Sequence, residues 1–228
     1  MEQHPLEVPG FLDAVLSLPP RARGPRPVLM VAHGAGDRPE WQCEWWASGL
    51  GERAVILCLR GKAMYPRRSD TGYYYPTHHA LEREALAALS ALRAAHGERV
   101  AEGSVVYAGF SQGAIMGALV TAQHPELFEN LILIEGGYDE WDVPSSRKLA
   151  ASGKARVLFA CGQSYCASHA RRSMQWLRSG GVEARLELAP GAGHTYAGAV
   201  GERVIAAFDW VVEGDERWKR YALTEEMR

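Results

Sequence analysis

The stretch VVYAGFSQGAIMGALV, from Val105 to Val120, decides the fold of this chain. It begins with an apolar run typical of a buried strand, turns through Gly109 and Gly113, and ends in small residues that suit a helix. A Gly-x-Ser-x-Gly turn between strand and helix predicts strained backbone at Ser111, and a Cβ at either glycine would collide with neighbouring backbone. This context indicates a nucleophile elbow, which holds the Ser111 hydroxyl outward at a helix start that favours negative charge.

Composition places the chain among ordinary globular proteins. Its 228 residues, 47% hydrophobic and 23% charged, are enough for a sizeable core. The formal net charge of −2 gives no reason to expect nucleic acid or an anionic membrane surface as a partner. No apolar run approaches the roughly 20 residues of a membrane helix. The N-terminus lacks the basic start and continuous apolar stretch of a secretory signal, so we expect a cytoplasmic protein.

Short β-rich runs alternate with helical segments along the chain. This alternation predicts the α/β class, as a three-layer α/β/α sandwich with a mainly parallel sheet. The strand candidates are Pro27–Ala32, Ala54–Leu59, Ser104–Gly109, Asn130–Glu135, Ala155–Ala160 and Ala184–Leu188. The helix candidates are His79–His96, Gln112–His124, Ser168–Ser179 and Val200–Val212. We expect a single domain over residues 1–228, with residues 1–26 as an irregular lead-in that contains one short helix within Phe11–Leu18.

The four cysteines show neither the spacing of a zinc site nor a disulfide framework. Cys58 lies inside a strand candidate and is expected to be a buried small hydrophobic residue. Cys161 and Cys166 are close enough in sequence for a local disulfide, which a reducing cytoplasm disfavours.

A serine hydroxyl is a weak nucleophile until a base takes its proton, so Ser111 needs a histidine within reach. His194 is the best of eight histidines, because it lies in a glycine-rich loop between the last strand candidate and the last helix candidate. Loops that leave the carboxyl ends of parallel strands gather at one edge of the sheet. The sequence therefore predicts that His194 and Ser111 meet at that edge.

Acyl transfer at Ser111 also needs donors for the oxyanion of the tetrahedral intermediate. Gln112, the residue after the nucleophile, is expected to supply one backbone N–H. The second is expected from the loop after the first strand candidate, which reads His33-Gly34-Ala35-Gly36-Asp37. Because its glycines let the backbone approach the site, the N–H of Ala35 is the second candidate.

The order of these parts resembles the α/β-hydrolase superfamily. His-Gly-x-Gly at residues 33–36, Gly-x-Ser-x-Gly at 109–113 and Gly-x-Gly-His at 191–194 follow one another in family order. The middle motif looks most like the small carboxylesterase/phospholipase and dienelactone-hydrolase branch. The resemblance covers roughly residues 27–212 and implies a minimal hydrolase with no cap domain, because the segment after Glu135 is too short to form one.

The acid of the catalytic triad is where this chain departs from that branch. The resemblance implies an aspartate in the loop after Ala155–Ala160, and Tyr165 stands at that position. A subset of the superfamily supplies the acid from the end of the preceding strand, where Glu135 follows four apolar residues and precedes two glycines. Because the acid must orient His194 and stabilise its protonated form, we take Glu135 as the first candidate and Asp139 as the second.

The leading hypothesis is a serine hydrolase that acts on a small or medium ester or thioester and needs no metal or organic cofactor. A Ser-His dyad oriented by Gln163 or Ser164 is a third arrangement, and it would imply slow hydrolysis. The alternative from another class is a non-hydrolytic member of the fold that binds, isomerises or transfers an acyl group. A peptidase is the third functional alternative and is weaker than the other two. The long segment Gly61–His78 is expected to serve substrate binding.

Overall fold

The computed structural model describes residues 1–20, 24–151, 153 and 155–219. In these ranges the strands are β1 (Gln3–Leu6), β2 (Ala14–Ser17), β3 (Val28–Ala32), β4 (Val55–Cys58), β5 (Lys62–Ala63), β6 (Tyr73–Tyr74), β7 (Val106–Phe110), β8 (Asn130–Ile134), β9 (Arg156–Cys161) and β10 (Glu183–Leu188). The helices are α1 (Pro39–Leu50), α2 (His78–His96), α3 (Gln112–Thr121), α4 (Val143–Ala150), α5 (Ser164–Ser179), α6 (Gly198–Val211) and α7 (Glu216–Lys219).

Eight strands form one sheet in the order β1-β2-β4-β3-β7-β8-β9-β10. Within this sheet β2 pairs antiparallel with β1 and β4, and the other neighbouring strands pair in parallel. The register places Phe110 opposite Ile134 and Ile134 opposite Ala160, so these strands end in line. The residues that follow the strands therefore emerge at one edge of the sheet.

Two hydrophobic cores lie on opposite faces of the sheet. Side chains alternate between them along β3, where Val28 and Met30 belong to one core and Leu29 and Val31 to the other. Helices α2, α3, α4 and α5 cover the first face, and α1 and α6 cover the second. The predicted three-layer α/β architecture is confirmed, as are all six strand candidates to within two residues at each end.

The expectation of an irregular lead-in with a helix in Phe11–Leu18 is wrong. Within the described part of the lead-in, which excludes residues 21–23, the chain forms β1 and β2 at the edge of the sheet. The four residues of β2 are buried, and Val15 pairs with Cys58 of β4. A short apolar run fits a strand or a helix equally well, and here the open edge of β4 selects the strand.

The four cysteines form two disulfides, whereas the sequence predicts no disulfide framework and leaves only a local Cys161–Cys166 bond open. Cys43 of α1 pairs with Cys58 of β4, and Cys161 at the end of β9 pairs with Cys166 of α5. Their Cα atoms are 5.9 and 5.6 Å apart, as a disulfide requires. Sequence spacing does not reveal that α1 packs on β4.

In the described ranges, no helix is both long and apolar enough to cross a membrane.

Candidate active site

The turn at Ser111 has the strained geometry that the motif predicts. Ser111 adopts φ 50° and ψ −114° between β7 and α3, and its N–H donates to Ile134 O at 2.9 Å. A Cβ at Gly109 would lie 2.6 Å from Ala114 Cα, and a Cβ at Gly113 would overlap the carbonyl oxygen of Ala32. Only glycine fits at both positions, and the turn presents Ser111 at the carboxyl edge of the sheet.

Two backbone N–H groups around the elbow have no acceptor among the described residues. Gln112 is the first residue of α3, so its N–H has no partner within the helix. The loop with Ala35 lies against the elbow, because Gly113 N donates to His33 O at 3.1 Å. A Cβ at Gly34 would lie 3.2 Å from Ser111 Cβ. In the described part of the chain, neither the Gln112 N–H nor the Ala35 N–H donates to another protein group.

Buried His33 holds the loop that carries Ala35. Its Nδ1 lies 2.8 Å from Gly34 O and its Nε2 lies 2.8 Å from Arg60 O. Burial lowers the pKa of the His33 imidazole, although the two carbonyl oxygens oppose this shift. The same loop pairs with β6, because Gly36 N donates to Tyr73 O at 2.8 Å.

A second set of buried polar groups anchors the segment that carries β5 and β6. Gln112 Oε1 accepts from Tyr75 N at 2.8 Å, and Tyr75 donates its own hydroxyl to Leu59 O at 3.1 Å. Glu84 of α2 accepts from Arg60 N and Gly61 N at 2.8 and 2.9 Å. Burial raises the pKa of the Glu84 carboxyl despite these donors. The segment beside the Ala35 loop therefore rests on α2 and on the Gln112 side chain.

Glu135 is the first residue after β8, and its side chain is fully buried. Its backbone has φ 52°, a left-handed conformation that few non-glycine residues adopt. One carboxylate oxygen, Oε1, accepts from Gly162 N and, at 3.1 Å, from Gln163 N. The other, Oε2, lies 3.5 Å from His194 Nδ1 and has no hydrogen-bond partner among the described residues. The free oxygen of a buried carboxylate thus faces the imidazole.

His194 lies in the loop between β10 and α6, and its side chain is 45% exposed. The loop is fixed to the end of β9, because Ala189 N donates to Cys161 O at 2.9 Å and Gly191 N donates to Gly162 O at 3.1 Å. The His194 ring centroid lies 5.0 Å from that of Phe110, the residue before Ser111. The structure therefore brings Glu135, His194 and the elbow together at one edge.

Aromatic side chains pack beside His194. Tyr196 packs edge-on against Phe110 and Trp45, with centroids 5.1 and 5.8 Å apart. Burial, together with the charge of Asp37, raises the pKa of Tyr196 to about 12. The tyrosine therefore stays neutral at physiological pH and packs as an uncharged ring. Among the described residues no side chain hydrogen bonds to the Ser111 hydroxyl.

The second acid candidate, Asp139, lies elsewhere. Its Oδ1 lies 2.7 Å from His169 Nδ1 and accepts from Arg172 at 2.9 Å. Partial burial opposes ionisation, but these two hydrogen bonds lower the pKa of the Asp139 carboxyl. Tyr165, at the position where the family resemblance implies aspartate, is 59% exposed and packs on His169 with centroids 4.1 Å apart. The structure thus pairs Asp139 with His169 and Glu135 with His194.

Sequence reasoning missed what holds Glu135. The donors are backbone N–H groups of Gly162 and Gln163, which carry no side-chain signature, and they lie in a loop closed by the Cys161–Cys166 disulfide. The glycine directly after a strand was the one available signal. In the described ranges no group of three or more His, Cys, Asp or Glu side chains could hold a metal ion.

The sheet order, the elbow and the loops around it define the α/β-hydrolase fold. Solved structures agree. Est1E from Butyrivibrio proteoclasticus has a TM-score of 0.65 at 15% identity, over 93% of this chain and 98% of that one. The Bacillus cereus carboxylesterase has a TM-score of 0.64 at 14% identity, over 89% and 96%.

A dienelactone hydrolase from Anabaena variabilis has a TM-score of 0.62 at 15% identity, over 92% of this chain and 96% of that one. No family model and no curated protein matches the chain in sequence. The expected α/β-hydrolase fold is confirmed, with carboxylesterases and a dienelactone hydrolase among its structural neighbours. In the described residues after β8, the chain forms only α4 before β9, so no cap domain stands there.

Proposed function

We propose that the chain is a serine hydrolase that cleaves a small or medium carboxylic ester or thioester. One observation carries the proposal. Glu135 Oε2 is buried, has no hydrogen-bond partner in the part of the chain that the structure describes, and faces His194 Nδ1 at 3.5 Å beside a strained serine elbow. A buried carboxylate oxygen without a hydrogen bond is costly unless a partner charges during function. An imidazole that becomes protonated during turnover is such a partner.

The proposed reaction begins when the Ser111 hydroxyl oxygen attacks the carbonyl carbon of the substrate. His194 takes the serine proton, and Glu135 stabilises the imidazolium and holds the ring in the required tautomer. The N–H groups of Gln112 and Ala35 bind the oxyanion. Collapse of the tetrahedral intermediate expels the alcohol or thiol, which leaves with the proton from His194, and Ser111 keeps the acyl group.

Water completes the cycle. His194 removes a proton from the water as it attacks the acyl-enzyme, a second tetrahedral intermediate forms at the same oxyanion donors, and Ser111 leaves with that proton as the carboxylic acid departs. The esterase and dienelactone-hydrolase neighbours share the fold and support this class of chemistry. In the described residues between β8 and β9, only α4 intervenes, which fits a site without a cap domain.

The expected cytoplasmic location stays a prediction. The two disulfides favour an oxidising compartment instead, since thiols remain reduced in the cytosol of most organisms.

The test is covalent labelling by a fluorophosphonate, followed by intact mass spectrometry. Wild type is expected to gain one adduct and to hydrolyse a p-nitrophenyl ester. Ser111→Ala is expected to do neither. Ser48→Ala, which removes an exposed hydroxyl from α1, is the matched control and is expected to behave as wild type. Failure of wild type to label would reject the hydrolase and support a non-hydrolytic binding pocket.

A further inference from the structure

The segment 161–166, which we call the clamp loop, joins the end of β9 to the first turn of α5 and is closed by the Cys161–Cys166 disulfide. Both cysteines are buried, at 2% and 1% exposure. The proposed triad uses neither of them. The clamp loop occupies the place where the family resemblance implies the acid, yet in this chain it carries no carboxylate.

The clamp loop holds the proposed acid. Gly162 N and Gln163 N both donate to Glu135 Oε1, and these are the hydrogen bonds that the Glu135 carboxylate makes within the described residues. Because Oε1 is fixed in this way, Oε2 is left to face His194. The direction of the carboxylate therefore depends on where these two N–H groups lie.

The clamp loop also holds the proposed base. Cys161 O and Gly162 O accept from Ala189 N and Gly191 N, at the start of the loop that carries His194. Gly162 packs directly against Gly193, since a Cβ at Gly162 would overlap the Gly193 carbonyl oxygen. One short loop thus contacts Glu135 on one side and the His194 loop on the other.

Space next to the clamp loop would let it move if the disulfide opened. A cleft of about 570 Å³ is lined by Cys161, Gly162, Gln163, Tyr165, Gly191 and Gly193. It gives a reductant a route toward Cys161.

We propose that Cys161 and Cys166 are positioning residues whose disulfide holds Glu135 and His194 in register, so that reduction of this bond slows catalysis. This inference rests on the proposed function. A dithiol reductant would break the S–S bond, pass two electrons and two protons to the cysteines, and leave as its own cyclic disulfide. The reduced clamp loop then has greater freedom, and the 3.5 Å relation of Glu135 to His194 is lost.

The chain supplies a matched control. The Cys43–Cys58 disulfide is also buried, but it joins α1 to β4 on the opposite face of the sheet and contacts neither Glu135 nor His194. Any general effect of losing a disulfide on folding is expected from both pairs. An effect on the acid and base is expected only from Cys161–Cys166.

The experiment compares two double variants, Cys161→Ala with Cys166→Ala and Cys43→Ala with Cys58→Ala, by the kcat and KM for a p-nitrophenyl ester and by the rate of fluorophosphonate labelling. The first pair is expected to lower kcat and labelling by about 10- to 100-fold with KM little changed, because misplacing a catalytic group by about 1 Å costs up to this factor. The second pair is expected to keep kcat within about twofold of wild type, even if its Tm falls.

If the protein with Cys161→Ala and Cys166→Ala does not fold, a second measurement still tests the proposal. The Cys43→Ala, Cys58→Ala protein keeps only the clamp disulfide, and dithiothreitol is expected to lower its kcat by a similar factor, with recovery on reoxidation. Equal kcat before and after reduction, with loss of the disulfide verified by thiol alkylation and mass, would overturn this inference and leave the hydrolase proposal intact. No labelling of the oxidised wild type would instead reject the hydrolase, and this inference with it.

Discussion

The two sides of the candidate site are held in different ways. The oxyanion side, around Ala35, is fixed by hydrogen bonds to buried His33, Tyr75 and Glu84. The acid–base side, around Glu135, is fixed by backbone N–H groups of a loop that a disulfide closes. The difference teaches that the two sides should respond to different conditions. We expect protonation of buried His33 to affect the first side and reduction of the disulfide to affect the second.

The largest effect is expected from removing the base. Two histidines at this edge contact a carboxylate, and the His169–Asp139 distance of 2.7 Å is shorter than the 3.5 Å between His194 and Glu135. His194→Ala is expected to lower kcat by about 10⁴- to 10⁶-fold, because the serine loses its proton acceptor.

The matched control is His169→Ala, whose surface ion pair is worth at most about 1 kcal/mol, or about fivefold in rate. Both variants are compared by the kcat for a p-nitrophenyl ester. If His169→Ala lowered kcat more than His194→Ala did, the assignment of His194 as the base would be wrong.

Gly162→Ala tests the acid–base side without changing a charged group. The added Cβ would overlap Gly193 O, so the clamp loop and the His194 loop must separate. We expect a loss of about 1 to 3 kcal/mol in stability and up to about 100-fold in kcat. Urea unfolding and ester turnover measure the two effects. Gly97→Ala adds a Cβ in open space at the end of α2, and it should change neither.

Gln112→Ala tests the oxyanion side and keeps the backbone N–H of residue 112. It removes the acceptor of the Tyr75 N–H, so the free energy of unfolding is expected to fall by about 1 kcal/mol. The kcat is expected to fall less than in Gly162→Ala, because the loop that carries Ala35 keeps its other bonds. Gln163→Ala, on the acid–base side, retains its own N–H to Glu135 and serves as the control. If Gln163→Ala lowered the free energy of unfolding more than Gln112→Ala did, the stabilising role given to the Gln112–Tyr75 hydrogen bond would be contradicted.

The last prediction concerns the pH dependence of stability on the side around Ala35, where no change in kcat is required. Burial lowers the folded-state pKa of His33 below its ordinary 6.5, so the unfolded chain binds a proton first as the pH falls. The stabilisation from neutral His33 is present above about pH 6.5 and is lost as the pH falls through the lowered pKa, by at most about 1.4 kcal/mol per pH unit.

Urea titrations at pH 7.5 and 5.5 measure this loss in wild type and in His33→Asn, which cannot titrate at this position. The variant is expected to show the shallower pH dependence. An equal dependence in both proteins would assign the acid sensitivity to another group.

The sequence predicted the elbow and the sheet because these follow from local patterns. Two glycines around Ser111 and continuous apolar strands leave few alternatives, and the structure has both. The edge strands escaped prediction because the four residues of β2 are too few to show a period. The conformation of β2 is set by pairing with β4, which lies about forty residues further along the chain, and β1 then pairs with β2.

The candidate acid was only partly predictable for a related reason. Glu135 was conspicuous in sequence as a carboxylate after an apolar strand, and Asp139, which the structure pairs with His169, was the second candidate. The N–H donors of Gly162 and Gln163 could not be foreseen, because any residue carries a backbone N–H and only the register of β8 against β9 brings these two to the carboxylate.

The most direct test of the account is the second-order rate constant for fluorophosphonate labelling of wild type, Glu135→Gln and Asp139→Asn. If Glu135 activates the Ser111–His194 pair, the Gln variant is expected to label about 10³- to 10⁴-fold more slowly than wild type, and the Asn variant within about fivefold. Slow labelling of Asp139→Asn together with fast labelling of Glu135→Gln would contradict the assignment of the acid to the end of β8.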